Sequence, residues 1–290
     1  MPRKRRRKKS AARYWLPATR LTRLHNYMVN VAAVLVLVLL AVSVRNALMG
    51  RSVRIRPSDA AALRAPAQAV QLLYDMSAES GQDFAEVLAV YMLDNGFFKK
   101  AAEPLATERL VEVYINKHDK LLNAFGGKTV SPYAAFLRQL SEEIDCFPVM
   151  GDNVMFGDSF GAARSTGTYN AIDVFDKLRE PGRLRVLAVA GGEVIEVGRN
   201  AREGFFVAIR SASGATYRYA HLDYISADVY TGGKIMSGAP LGYMGDTGSD
   251  GKNDLFPVRL SVSVQVENPL FSAPTYINPY IFLCLVENGG

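Results

Sequence analysis

Residues Arg259–Val266 read RLSVSVQV, a strict two-residue alternation. Successive side chains of a strand point to opposite faces. Leu260, Val262, Val264 and Val266 therefore share an apolar face, and Arg259, Ser261, Ser263 and Gln265 share a polar one. The apolar face belongs to a core; the polar face lines solvent or a site. Upstream, short β-rich runs over 184–190, 193–197, 205–210 and 216–220 are separated by Gly-containing turns. That spacing predicts an antiparallel sheet over residues 146–290.

The texture before Cys146 is different. Val70, Leu73, Tyr74 and Ala78 fit one helix face, and Phe84, Val87, Leu88, Tyr91 and Met92 another. Two more helices are expected over 105–125 and 132–144, so residues 67–145 form a small helical region. Residues 45–66, punctuated by Pro57 and Pro66, read as a linker. The expected fold class is α+β.

Nineteen uncharged residues at 26–44 would span about 28 Å as a helix, close to the ~30 Å hydrocarbon core. The run is longer than the apolar region of a cleaved signal peptide, and no A-x-A site follows it. A transmembrane helix is expected there. Residues 1–25 hold ten Lys/Arg and no acid. Positive-inside logic places this tail in the cytoplasm and the C-terminal part outside, at the cell membrane. The chain carries 34 Lys/Arg and 28 Asp/Glu, so without the tail 24 bases face 28 acids. The net +6 thus marks topology, and no nucleic-acid partner is expected. Three His and two Cys exclude a Cys-rich zinc module. Cys146 and Cys284 could bridge or remain buried thiols.

Residues 147–285 resemble the LytM (lysostaphin-type) zinc endopeptidases, which cut peptide cross-links of peptidoglycan. The likeness rests on FGDSFGAARSTGTYNAIDVF, GFFVAIRSASGATYRYAHLD, GGKIMSGAPLGYMGDTG, PVRLSVSV and the closing INPYIFL. It implies an antiparallel β-domain with a groove on one sheet face, lined by Tyr169, Asp173, Tyr219, His221, Arg259 and Ser261. The family's His-x-x-x-Asp motif stands here as Tyr169 and Asp173. Its closing His-Leu-His stands as Arg259-Leu260-Ser261, while His221 keeps the catalytic position of Tyr-x-His-Leu. Asp173 is the only family ligand retained.

A catalytic zinc takes about three protein ligands and a water. A tyrosine with a reference pKa of ~10 and a neutral serine hydroxyl are poor substitutes. The expectation is no metal, no cofactor and no zinc hydrolysis. Either Arg259 pairs with Asp173 where the ion would sit, or it points to water. His221 either orients a ligand or is a hydrogen-bonded structural residue. The resemblance implies a degenerate membrane-anchored member acting at the cell wall, through peptidoglycan or a wall protein such as a hydrolase, morphogenesis or sporulation partner. A hydrolase with a non-standard metal site is the alternative.

Two weaker signals complete the reading. Asp246-Thr247-Gly248 could mimic a phosphate loop, but no G-x-x-x-x-G-K-[ST] is present, so tight turns are expected. The stretch 77–97 faintly resembles the helix pair of lytic transglycosylases, with Asp94 near the position of their acid. A core helical hairpin is the plainer expectation.

Overall fold

The computed structural model describes residues 25, 27–36, 55–98, 106–164, 167–248 and 257–288. The chain divides into two units, Met1–Arg51 and Ser52–Gly290. In the first, residues 27–36 are helical. The rest of the expected 26–44 span, the basic tail up to residue 24 and the linker up to residue 54 lie outside the described residues. No helix among the described residues is long and apolar enough to cross a membrane.

The second unit begins inside the expected linker. Residues Pro57–Ala62 form a short helix, α1, with Ala60, Ala61 and Leu63 buried. Pro57 opens the helix, where its missing N–H costs no bond. Then α2 (Ala67–Ser80) stops at Gly81, whose φ of +69° suits a residue without a Cβ. Its buried stripe is Ala69, Val70, Leu73 and Ser77. Tyr74 and Ala78, expected on that face, are exposed; the Tyr74 ring instead packs edge-on to Phe84. α3 (Phe84–Asp94) is capped by Asp83, which accepts the Glu86 N–H at 3.1 Å.

The helix expected over 105–125 is two pieces. α4 (Thr107–Leu110) runs into a π turn at Val111–Ile115, and α5 (His118–Phe125) follows. β-branched residues at 111, 113 and 115 are stiff at χ1 and crowd a regular turn. α6 (Gly127–Glu143) starts five residues before the expected Pro132, which it carries inside. α7 (Tyr280–Asn288) ends the described chain.

The strands are β1 (Val149–Met150), β2 (Val154–Phe156), β3 (Ala163–Arg164), β4 (Gly167–Thr168), β5 (Ile172–Asp176), β6 (Arg185–Leu187), β7 (Gly192–Asn200), β8 (Gly204–Arg210), β9 (Thr216–Ile225), β10 (Lys234–Ile235), β11 (Pro240–Met244), β12 (Arg259–Val266) and β13 (Thr275–Ile277). Apart from the β3–β4 hairpin they make one sheet in the order β1-β6-β11-β9-β12-β5-β2. β8 continues from β9, β7 from β8 and β10 from β7; β13 lies on β12. Every pairing is antiparallel. The strand quoted first is thus central. Leu260, Val262, Val264 and Val266 are fully buried, as the alternation requires.

Helices and sheet share one apolar cluster, in which Phe136 and Leu137 of α6 join Tyr217 and Val264. Polar joints close the seam. The Tyr217 hydroxyl donates to Glu143 at 2.8 Å, and Ser211 donates to it at 3.1 Å. Asn278, buried, donates its N–H to the Ala61 carbonyl at 2.8 Å and its Nδ2 to the Ala62 carbonyl at 3.0 Å. It thereby holds α1 against the end of the sheet. Cys146 and Cys284 are free thiols. Cys146 Sγ turns to the Phe147 carbonyl at 3.3 Å, and burial pushes both thiols up in pKa.

Candidate functional site

The site is built where β12 lies between β5 and β9. Register places Ser261 opposite Asp173 on one side and opposite Ala220 on the other. Arg259, Ser261 and Asp173 therefore share a face, the polar face of the alternation. Arg259 is 2% exposed, although a polar strand face would ordinarily meet water.

The polar groups there converge on Asp173. Asp173 Oδ1 accepts from both the Tyr169 and the Ser261 hydroxyls, whose oxygens lie 2.7 Å apart. Arg259 Nε is 3.9 Å from the same Asp173 oxygen, with both side chains 3% exposed. Arg164, from β3, comes within 3.6 Å of Asp173 Oδ2 and lays its guanidinium 4.4 Å from the centre of the Tyr169 ring. Burial first, and then the Asp173 carboxylate, raise the Tyr169 phenol far above the ordinary tyrosine range.

His221 sits on a β-bulge. Opposite β8, Phe205 pairs with Leu222 and Phe206 with Ala220, so His221 is the extra residue. Its φ is +67°, an unfavourable region for a residue with a Cβ. The backbone is tied there by its N–H to the Glu203 carbonyl at 2.8 Å and by its carbonyl from the Gly245 N–H at 2.9 Å. Its Nδ1 is 2.7 Å from the Thr247 carbonyl, which can only accept, so Nδ1 carries the proton. Nε2 is then the acceptor for Arg259 Nη2 at 3.0 Å.

The Asp246-Thr247-Gly248 turn has a structural task. Thr247 Oγ1 donates to the Leu222 carbonyl at 2.6 Å and accepts the Phe205 N–H at 3.1 Å. A Cβ on Gly204 would stand 2.0 Å from Thr247 Oγ1, so only glycine lets the β7–β8 turn close onto this staple.

A groove of about 470 Å³ opens above the network. Tyr169, His221 and Ser261 reach its wall, together with Thr168, Ala220, Ser263, Tyr276, Arg202, Glu203 and Arg218. Asp173 and Arg259 lie beneath, buried. Tyr219, expected in the groove, faces the other way: neighbours alternate on β9, so Arg218 and Ala220 line the groove and Tyr219 enters the core. There its hydroxyl accepts the Val189 N–H at 2.8 Å.

Arg218 and Glu203 escaped the sequence reading. Arg218 is held by Glu203 at 2.6 Å and Glu196 at 2.7 Å, over the Phe206 ring at 3.9 Å. Its position two residues before Ala220 was the available signal. Arg164 had none, because only the tertiary fold brings β3 to Asp173. Asp94 lies apart from the groove and accepts from the Tyr114 hydroxyl at 2.7 Å.

Among the described residues no three His, Cys, Asp or Glu side chains converge as metal ligands. The donor set at the family's ligand positions fits a zinc ion poorly. It offers one carboxylate already shared by two hydroxyls, a phenol held protonated, a neutral serine and a fixed guanidinium.

Comparison with known proteins agrees with this architecture. Residues 167–261 match the model of peptidase family M23. No curated protein sequence matches the chain. Among solved structures, a LytM glycyl-glycine endopeptidase from Ruminococcus gnavus is similar over 79% of this chain and 90% of its own, at 23% identity and a TM-score of 0.59. The likeness therefore extends past the sheet into the helices. Lysostaphin from Staphylococcus simulans is 24% identical over 47% of this chain and 52% of its own, with a TM-score of 0.38. A SpoIIIAH–SpoIIQ complex matches at 18% identity over 46% of this chain and 94% of that one, with a TM-score of 0.37.

Proposed function

Starting from a chain whose sheet carries a peptidase family M23 domain, we propose that this domain binds at the cell wall and does not cut. The observation that carries the reading is Arg259. Its guanidinium, buried beneath the groove, reaches Asp173 at 3.9 Å and His221 at 3.0 Å. Those are the two side chains the family's chemistry would use for metal binding and proton transfer. A protein-borne cation stands between them.

Hydrolysis of an amide needs an activated water and a stabilised oxyanion. In this site His221 Nδ1–H is given to Thr247 and Nε2 accepts from Arg259, so the imidazole holds no free lone pair for a water. Tyr169 and Ser261 are turned onto Asp173. What the groove still offers is shape, neutral polar groups from Thr168, Ser263 and Tyr276, and the charged side chains of Arg202, Glu203 and Arg218. Together these suit a short peptide, its backbone on the neutral groups and its charged groups on the others.

The proposed ligand is a peptidoglycan stem peptide, or a wall protein such as a hydrolase that works on it. In the same reading residues 26–44 anchor the chain in the cell membrane, with the basic tail in the cytoplasm and the domain outside. The −4 balance of residues 26–290 supports the absence of a nucleic-acid partner.

The test uses the purified full chain. Elemental analysis after incubation with zinc is expected to give far less than one ion per chain, and peptidoglycan digests are expected to release no fragments. Soluble muropeptides are expected to bind and to lose binding in Ser263→Trp, which fills the groove. Stoichiometric zinc together with fragment release would replace this proposal with an active peptidase.

A further inference from the structure

The polar face of β12 does not stop at the groove. Gln265, two residues beyond Ser263, keeps the same side of the strand. Register sets it opposite Tyr276 on β13 and opposite Thr216 on β9. Directly opposed residues point to the same face, so the three form one row beside the groove. Tyr276, 39% exposed, is the wall that row and groove share. Two strand spacings of ~4.8 Å make the row about 10 Å wide.

The row is neutral and open. Among the described residues, the side chains of Tyr276, Gln265 and Thr216 make no hydrogen bond, and no second ring or cation covers Tyr276. Arg218, the next residue of β9 on this face, is drawn the other way. Its guanidinium lies 3.9 Å from the centre of the Phe206 ring, and Phe206 stands opposite Ala220. Glu203 at 2.6 Å and Glu196 at 2.7 Å hold it there. On the far side Thr216 meets Arg210 of β8, which stands opposite Glu193 of β7, so that cation already faces an acid.

A group that suits this row is amphipathic and uncharged, because a charge placed on it would leave water without a counter-ion. An exposed tyrosine ring offers a negative π face to C–H bonds and a hydroxyl at its edge. The Gln265 amide donates and accepts at once, as does the Thr216 hydroxyl. A pyranose ring carries a C–H face and a rim of hydroxyls, and an acetamido substituent on it complements the Gln265 amide. A peptide backbone presents amides but no flat C–H face for the ring.

We propose that this row is a sugar subsite, and that its ligand is an uncharged, N-acetylated amino sugar. The inference rests on the cell-wall reading above and extends it: the groove takes the peptide, and the row beside it takes a sugar of the same polymer.

Ligand-observed NMR titration of the purified full chain tests this with two separate probes, chitotetraose, which has no peptide, and a stem peptide, which has no sugar. The wild type is expected to bind both, and to bind maltotetraose, which lacks acetamido groups, ~3–10-fold more weakly than chitotetraose. Tyr276→Ala is expected to weaken chitotetraose binding at least ~10-fold, and Tyr276→Phe, which keeps the ring, by less than ~3-fold. Gln265→Ala and Thr216→Val are each expected to weaken it ~3–10-fold and to leave stem-peptide binding unchanged. Unchanged melting temperatures separate loss of binding from loss of fold. A wild-type chain that binds the stem peptide but not chitotetraose overturns the sugar subsite alone; one that binds neither overturns the cell-wall reading with it. Chitotetraose binding indifferent to both Tyr276→Ala and Gln265→Ala, or a stem peptide weakened by Gln265→Ala as much as the sugar, also overturns the proposal, the latter by making the row a peptide track.

Discussion

Replacing Asp173 by Ala tests the buried charge network most directly. The carboxylate is 3% exposed, accepts from two hydroxyls and stands beside two guanidiniums, Arg259 at 3.9 Å and Arg164 at 3.6 Å. Arg164 is 33% exposed and can turn to water, but Arg259 is 3% exposed and cannot. Removing one member of a buried ion pair costs about 3–5 kcal/mol, because the remaining charge keeps its desolvation penalty. For a unit of this size each kcal/mol lowers the melting temperature by ~2–4 °C, so a fall of roughly 6–20 °C is expected. Differential scanning calorimetry of Asp173→Ala, Arg259→Met and the double variant completes the cycle. If the two side chains compensate each other, the double variant is more stable than the sum of the singles by more than ~1 kcal/mol. A melting temperature lowered by less than ~2 °C in Asp173→Ala, or a cycle additive within ~0.5 kcal/mol, would refute the pairing.

Two further outcomes follow from the geometry. The Tyr169 phenol is raised by burial and by Asp173, so its folded pKa lies above the unfolded value of ~10. Its contribution is fully present below pH ~10 and is lost as the pH climbs through the folded value. Chemical denaturation between pH 8 and pH 12 is expected to show a shallower alkaline loss in Tyr169→Phe, and tyrosinate absorbance one fewer late-titrating phenol. Asn278→Ala removes the side-chain donor to Ala62, so hydrogen exchange over residues 57–63 is expected to speed up while β12 stays protected; uniform loss of protection would mean that α1 is not held locally.

Much of the fold was readable where one physical rule acts alone. The RLSVSVQV alternation located β12 and its core face, because a strand between two neighbours can bury only alternate residues on each side. The same pattern could not show that Arg259 and Ser261 would also be buried. Their burial comes from Tyr169 and Asp173, nearly ninety residues upstream, closing over them. The helical half was less legible. Helical periodicity put Tyr74 and Ala78 on the inner face, but the stripe turned towards Ala69 and Ser77, because the packing neighbours decide which side of an amphipathic helix is inside. The π turn at Val111–Ile115 shifts phase midway, and no single period describes both sides of it. A linker by its prolines proved to contain α1, whose partner, Asn278, is more than two hundred residues away. At the site, Tyr169, Asp173, His221, Arg259 and Ser261 came together in space, whereas Tyr219 did not line it and Arg218 and Arg164 were added.

A cation carried on a strand differs from one drawn from solution in having no dissociation constant. A zinc ion leaves when chelated, when its supply falls, or when protons compete for its ligands. The guanidinium of Arg259, buried beside Asp173, is delivered with the backbone at synthesis. Under the proposed function, a groove floor built on the chain's own cation keeps one shape without drawing on a diffusible ion.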